Sequence, residues 1–248
     1  MEQTAAAVRS SRISPQAYAR AAGALYLIIF AAGFFSVGVQ SKLIAENNAA
    51  ATAANIMASQ ALWRIATGAE VVMFGCDFAL AVLFYILLSP INAGIALLAA
   101  FFRLGQAIIC TLNVVWQFAP ILLLGGSAYA TTFSTAQLHA LALLSLKLYD
   151  RGFAIALIPF GIHCVLLGYL IFKARYLPKM LGALLVIAGA CYVTNSFSIM
   201  VAPTIAGALY PWILVPAFLA ELALCLWLLI FGVSISEWND CQRLQRMV

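Results

Sequence analysis

The sequence predicts an all-α integral membrane bundle of about six transmembrane helices, with two further helices at its outer interface. Composition is the first observation: of 248 residues, 65% are hydrophobic and only 8% charged, with mean hydropathy +1.05. A soluble domain carries about 25% charged residues. The second is run length. The apolar stretches are long enough to cross a hydrocarbon core of about 30 Å, which takes ~20 helical residues. The third is turn chemistry between runs, in Ser89-Pro90-Ile91-Asn92 and Arg175-Tyr176-Leu177-Pro178-Lys179.

The first span covers residues 21–40. Its basic flank, apolar stretch and Ser36-Val37-Gly38 also fit a secretory signal with a mature start at Val39. The long flank and a run able to span by itself favour an uncleaved helix. Residues 48–63 are too polar to span; they are alanine-rich, with Ile56, Met57 and Leu62 for one face, and read as an interfacial helix. The second span is 65–88, and the third, 93–124, is long enough to tilt or to bend at Pro120. Residues 134–149 open with Ser134-Thr135-Ala136-Gln137, a capping-box pattern, and form the second interfacial helix. The fourth, fifth and sixth spans are 152–172, 180–202 and 210–233. Trp63, Tyr149, Tyr210 and Trp212 then fall where an aromatic belt belongs.

Three regions divide the chain: an N-terminal tail 1–20, one transmembrane domain 21–233 and a C-terminal tail 234–248. Arg9, Arg12, Arg20, Lys173, Arg175, Lys179, Arg243 and Arg246 share one side, against Lys42, Arg64, Lys147 and Arg151 on the other. The positive-inside rule therefore makes both termini cytoplasmic. Segments 79–101 and 164–189 share a Tyr, a leucine run, a Pro turn and a glycine-containing continuation. A parallel internal repeat or chance likeness of two leucine-rich hairpins accounts for this equally.

Several function classes are disfavoured. Cys76, Cys110, Cys164, Cys191, Cys225 and Cys241 are scattered singly, which fits buried hydrophobes rather than a disulfide framework or zinc site. The net charge of +5 comes without a basic stretch interleaved with aromatics, so no nucleic-acid partner is expected. His139 and His163 lack ligand spacing for haem or di-iron, and no metal or cofactor is predicted. No phosphate loop, HExxH or GxSxG occurs.

The informative residues are charges at bilayer depth, each costing at least ~2.5–3.5 kcal/mol. Glu70 and Asp77 stand seven residues apart on the second span, so both face one way. On the third span Arg103, Gln106, Cys110, Asn113 and Gln117 recur every three or four residues, a polar stripe that must look into the bundle. The fourth span adds His163 and Tyr169, the fifth Tyr192, Asn195 and Ser196, and the sixth Glu221. Asp77, Arg103, His163 and Tyr192 fall near the midplane, with Glu70, Asn113, Asn195 and Glu221 toward the outer half. One shared cavity is expected, with Arg103 paired to Asp77. Because three acids face one arginine, at least one acid should be protonated or paired by a ligand. A buried pair with amides around it can also simply fix helix registry.

The stretches Cys76-Asp77-Phe78-Ala79-Leu80-Ala81, Ala100-Phe101-Phe102-Arg103-Leu104-Gly105-Gln106, Gly161-Ile162-His163-Cys164-Val165-Leu166-Leu167-Gly168-Tyr169 and Asn195-Ser196-Phe197 resemble the bacterial multi-pass family catalogued as domain-of-unknown-function 4386. The resemblance covers about residues 20–233. It implies an inner-membrane protein in contact with membrane lipid, and it brings no activity or catalytic residue.

Three functions fit the pattern. One is a membrane-embedded enzyme acting on a lipophilic small molecule such as an isoprenoid or lipid, of isomerase, dehydratase (lyase) or cyclase type. There Asp77 and Glu70 would transfer protons and Arg103 hold charge, with His163 and Glu221 as further catalytic candidates. Gln106, Asn113, Tyr169, Tyr192 and Asn195 are the candidate substrate-binding residues. The second is a small proton-coupled transporter, which with six spans would require a homodimer. The third is a non-catalytic membrane partner or sensor.

Overall fold

The computed structural model describes residues 14–126 and 131–245. Arg9, Arg12 and Arg246, used above for orientation, lie outside the described residues. Among the described residues six helices are long and apolar enough to cross a membrane, so the chain is a multi-pass membrane protein. The long ones are α1 (Pro15–Leu43), α3 (Gln60–Leu88), α4 (Ala93–Leu124), α5 (Thr135–Lys173) and α6 (Lys179–Val201). The sixth crossing joins the 3-10 turn Trp212–Leu214 to α8 (Val215–Ile230). The described residues also form three short helices, α2 (Ala49–Ala58), α7 (Pro203–Leu209) and α9 (Ile235–Gln245).

Local chemistry sets the ends. Ser14 caps α1 by accepting from the Ala17 amide at 3.2 Å, with Pro15 in the first turn where its missing N–H costs nothing. Asn48 caps α2, and Asn92 caps α4 by accepting from the Ile95 amide at 2.9 Å. The capping box predicted at Ser134 is present: its hydroxyl accepts from the Gln137 amide, and Gln137 Oε1 from the Ser134 amide. At the end of α8, Gly232 adopts φ 70°, and its N–H returns to the Trp227 carbonyl. A side chain there would be strained and would strike Gln16, which clamps the two neighbouring residues: its amide donates to the Phe231 carbonyl and accepts from the Val233 N–H.

The spanning helices form a closed ring in chain order: α1 packs on α3, α3 on α4, α4 on α5, α5 on α6, α6 on α8, and α8 back on α1. The α5–α6 seam is held by glycines. Gly168 faces Gly182, and Gly161 faces Gly189, so that a Cβ on Gly168 would lie 2.6 Å from the Gly182 carbonyl oxygen. In lipid, small residues of this kind let backbones approach and give dispersion its reach. Gly168→Leu should therefore lower stability by at least about 1–3 kcal/mol, read as earlier thermal unfolding in detergent. An unchanged melting curve would contradict the seam.

Two differences from expectation have physical reasons. The helix predicted over 134–149 forms, but it continues into the fourth span as one 39-residue helix, α5. Lys147, Asp150 and Arg151 interrupt the apolar run without interrupting the backbone ladder, so hydropathy marked a boundary that hydrogen bonding ignores. Similarly α3 starts at Gln60, takes in Trp63, and leaves only α2 as the short helix folded over α4 and α5. Nor do Trp63 and Tyr149 stand in an aromatic belt. Both are buried, while Tyr210 and Trp212 are exposed.

One end of the ring is sealed by an apolar cluster including Leu80, Leu87, Leu170, Leu224 and Leu228. The last four carbonyls of α3 lack helical partners, and each finds another. Tyr85 and Leu88 accept from the Ser89 and Ile91 amides, and Ile86 from the Ser89 hydroxyl. Leu87 accepts from Tyr176 Oη at 2.7 Å and Trp238 Nε1 at 3.0 Å. Thus the expected C-terminal tail contains α9, anchored on the bundle through Trp238. Exposed Arg20, Lys173, Arg175, Lys179 and Arg243 surround this sealed end.

Candidate functional site

Helix spacing places the polar groups inside the ring. Arg103, Gln106, Asn113 and Gln117 of α4 are all buried, as the periodic stripe requires. Arg103 Nη2 donates to Asp77 Oδ1 at 2.5 Å, the ion pair expected between neighbouring helices. Arg103 Nη1 donates to Tyr26 Oη at 3.2 Å and lies 3.1 Å from His163 Nε2. The other ring nitrogen of His163, Nδ1, is 2.8 Å from the Ala99 carbonyl and so carries the proton. Nε2 is then the acceptor for Arg103, and His163 is a neutral positioning group. Its imidazole has no free lone pair with which to take a substrate proton. Tyr26, Phe84 and Phe160 surround the guanidinium at 5.2, 5.9 and 5.4 Å from their ring centres. The Gln106 side chain donates to the Asp77 carboxylate.

The Glu70 carboxylate lies about 10 Å along the same helix, seven residues at ~1.5 Å each. It has no cation among the described residues. Four neutral donors surround it instead: Ser36 Oγ at 2.6 Å, Gln40 Nε2 at 2.8 Å, Tyr149 Oη at 2.7 Å, and the Gln117 amide. With its nitrogen toward Glu70, Gln117 also accepts from Gln40 at 3.2 Å. Trp63 Nε1 secures the Gln117 backbone carbonyl at 2.9 Å. Ser36, Gln40, Trp63 and Tyr149 were not among the sequence candidates. Ser36 and Gln40 stand four apart on one face of an apolar span, a pair the spacing could have revealed.

The third acid, Glu221, accepts from Tyr192 Oη at 2.5 Å through Oε1, and no hydrogen bond from the described residues reaches Oε2. The sequence put Glu221 in the outer half, yet it shares the inner compartment with Asp77 and Arg103.

A two-lobed cleft joins these groups. The inner lobe, about 360 Å³, is walled by Phe30, Phe34, Met73, Phe160 and Phe218 and holds Asp77, Arg103, Gln106, Tyr192 and Glu221. The other lobe, about 580 Å³, holds Gln40, Glu70, Tyr149, Asp150 and Asn195. Gly33, Val37, Met73, Phe153, Leu157 and Leu214 line both, so the lobes adjoin. The exposed side chains on the rim are Phe34, Val37, Asp150 and Tyr210, which places the mouth between α1, the middle of α5 and the linker into α8.

The structure thus brings Glu70, Asp77, Arg103, Gln106, Tyr192, Asn195 and Glu221 to one cleft. It sets His163 behind Arg103. Asn113 is a tie between helices: its amide donates to the Tyr149 carbonyl at 2.7 Å, over Gly152, where any side chain would strike it. Tyr169 is a correction to the substrate-binding set. It is 45% exposed on the outside of the ring, with Lys173 5.8 Å from its ring centre. The residue was picked for its depth, but its helical phase turns it away from the cavity. Among the described residues no group of three or more His, Cys, Asp or Glu is arranged to hold a metal ion.

A sequence profile described as Domain of unknown function (DUF4386) matches residues 21–232. An uncharacterized protein of Archaeoglobus fulgidus is 30% identical over 163 residues, which is 65% of this chain and 80% of that relative. No solved structure matches the chain.

Proposed function

The chain belongs to the DUF4386 family, and from that premise we propose that it is a membrane-embedded enzyme performing acid–base chemistry, of isomerase or lyase type, on a lipophilic small molecule such as an isoprenoid or lipid. One observation carries the reading: the Tyr192–Glu221 pair and the Asp77–Arg103 pair open onto the same apolar lobe. A substrate body would lie among the phenylalanines, entering by the mouth beside Phe34 and Val37.

Among the buried acids, Asp77 is held by Arg103 and Gln106, and Glu70 by four donors, which leaves Glu221 the least engaged carboxylate. In an isomerisation Glu221 removes a proton from one carbon and the C–H electron pair becomes part of a shifted double bond. The original double bond opens as its far carbon takes a proton back from Glu221, by then a carboxylic acid in exchange with solvent. Arg103 stabilises negative charge developing on the substrate, and Tyr192 holds Glu221 in place. Proton count and oxidation state are unchanged overall.

Deuterium tests this directly. Purified protein in D₂O, given membrane lipid extract, should place deuterium into one lipophilic component, detected by mass spectrometry. Glu221→Gln should slow incorporation by about 10²–10⁴-fold with the melting temperature retained. Incorporation at the wild-type rate in the variant would end the reading.

A second reading, a proton-coupled carrier working as a homodimer, is favoured by Glu70. Ser36 and Tyr149 are hydroxyls that can reverse from donor to acceptor when Glu70 takes up a proton. Movement of a solute in sealed vesicles without deuterium incorporation would select it. For either reading we place the protein in the inner membrane with both termini cytoplasmic, the side on which Lys173, Arg175, Lys179 and Arg243 gather.

A further inference from the structure

Among the described residues the cleft's lining has more unpartnered acceptors than unpartnered donors. Its buried cation, Arg103, is paired with Asp77, and its Nε is the one unpartnered donor there. Glu70 and Glu221 form no salt bridge among the described residues, although the charge of Arg103 reaches Glu221, and Glu221 Oε2 receives no hydrogen bond from them. Two further acceptors point the same way. Asn195 Oδ1, on a residue 2% exposed, lines the lobe that holds Glu70 and has no partner. Gln106 Oε1, on a residue 4% exposed, lines the lobe that holds Glu221 and also has none, since the nitrogen of that amide is turned to Asp77 and Cys110. Buried acceptors left without donors cost about 1–3 kcal/mol each, which makes two of them at one cavity informative.

A ligand that repairs this arrangement brings N–H donors and positive charge to the carboxylates, and an apolar body to the walls. Phe30, Phe34, Phe160 and Phe218 suit such a body, and aromatic faces also favour a cationic head. A fatty acid or phospholipid phosphate would instead meet two like charges, and a bare hydrocarbon would leave the acceptors unpaired. We infer that the cleft takes a lipophilic amine, bound as its ammonium ion with Glu221 as counter-charge. This rests on the proposed reading that the cleft receives a lipophilic small molecule, and it names the head group that molecule carries.

Three probes of equal chain length separate the two claims: dodecylamine, dodecanol and dodecanoate, each titrated against the full chain in a neutral maltoside detergent, with affinity taken from the concentration dependence of thermal stabilisation. Dodecylamine should bind saturably and about tenfold to a hundredfold tighter than the other two, the worth of a charge-assisted hydrogen bond. Glu221→Gln should remove most of that preference while leaving dodecanol binding in place. Val37→Trp, at an exposed rim position where folding tolerates bulk, should block all binding by closing the mouth. Equal or tighter binding of dodecanol or dodecanoate would overturn the amine and leave the lipophilic cleft standing. Binding of none of the three would overturn both. Amine binding that survives Val37→Trp would be partitioning elsewhere, and would overturn the assignment to this site.

Discussion

Arg103→Leu should destabilise the protein by about 3–5 kcal/mol, the cost of leaving a buried charge without its partner. The substitution strands Asp77 and removes the donor to Tyr26 and His163 in one step. Three rings packed around the guanidinium lose their centre as well. The measurement is equilibrium unfolding in detergent, and its control is the double variant Asp77→Leu/Arg103→Leu. Removing both charges should recover a large part of the loss, since what is costly is the unpaired carboxylate. Arg103→Lys should not rescue, because one ammonium cannot serve Asp77, Tyr26 and His163 from the positions a planar guanidinium occupies. Were the single variant as stable as wild type, the central ion pair would have no structural weight.

Glu70→Leu ranks next, with an expected loss of about 3 kcal/mol or more. It leaves Ser36, Gln117 and Tyr149 as buried donors with no acceptor, each costing about 1–3 kcal/mol less whatever water recovers, while Gln40 keeps Ser36 Oγ and the Gln117 side-chain oxygen. Glu70→Gln keeps one acceptor oxygen but turns an NH₂ on two of the four donors, and should fall between wild type and Leu. The same unfolding experiment reads the order wild type, Gln, Leu. A Leu variant equal to the Gln variant would mean that the stranded donors find partners elsewhere.

The bundle was legible because lipid leaves a plain record: an apolar stretch of sufficient length has few alternatives to a spanning helix. The site was legible for a related reason. Arg103, Gln106, Asn113 and Gln117 recur at helical spacing, and lipid tolerates no such stripe on its own face, so their inward direction followed. Phase was the harder quantity. Tyr169 had the right depth and the wrong direction, and a single aromatic residue on a helix carries no stripe from which to read its angle. The cage around Glu70 was hidden for another reason: Ser36, Gln40 and Tyr149 come from helices far apart in the chain, and serine and tyrosine are ordinary residues in a membrane span. Continuity of α5 was missed because charged side chains at 147, 150 and 151 look like a surface, although a helix can carry them past the membrane boundary.

That continuity has a mechanical consequence. At ~1.5 Å per residue α5 is about 58 Å long against ~30 Å of hydrocarbon, one rod rather than two pieces joined by a loop. Pro159 removes one rung from its ladder, yet the helix runs through it. Tyr149, which touches one carboxylate, and His163, which steadies the guanidinium, ride on this rod on either side of that proline. A piston stroke of even one residue's rise would pull both out of register together. The two acidic centres thus share one mechanical support.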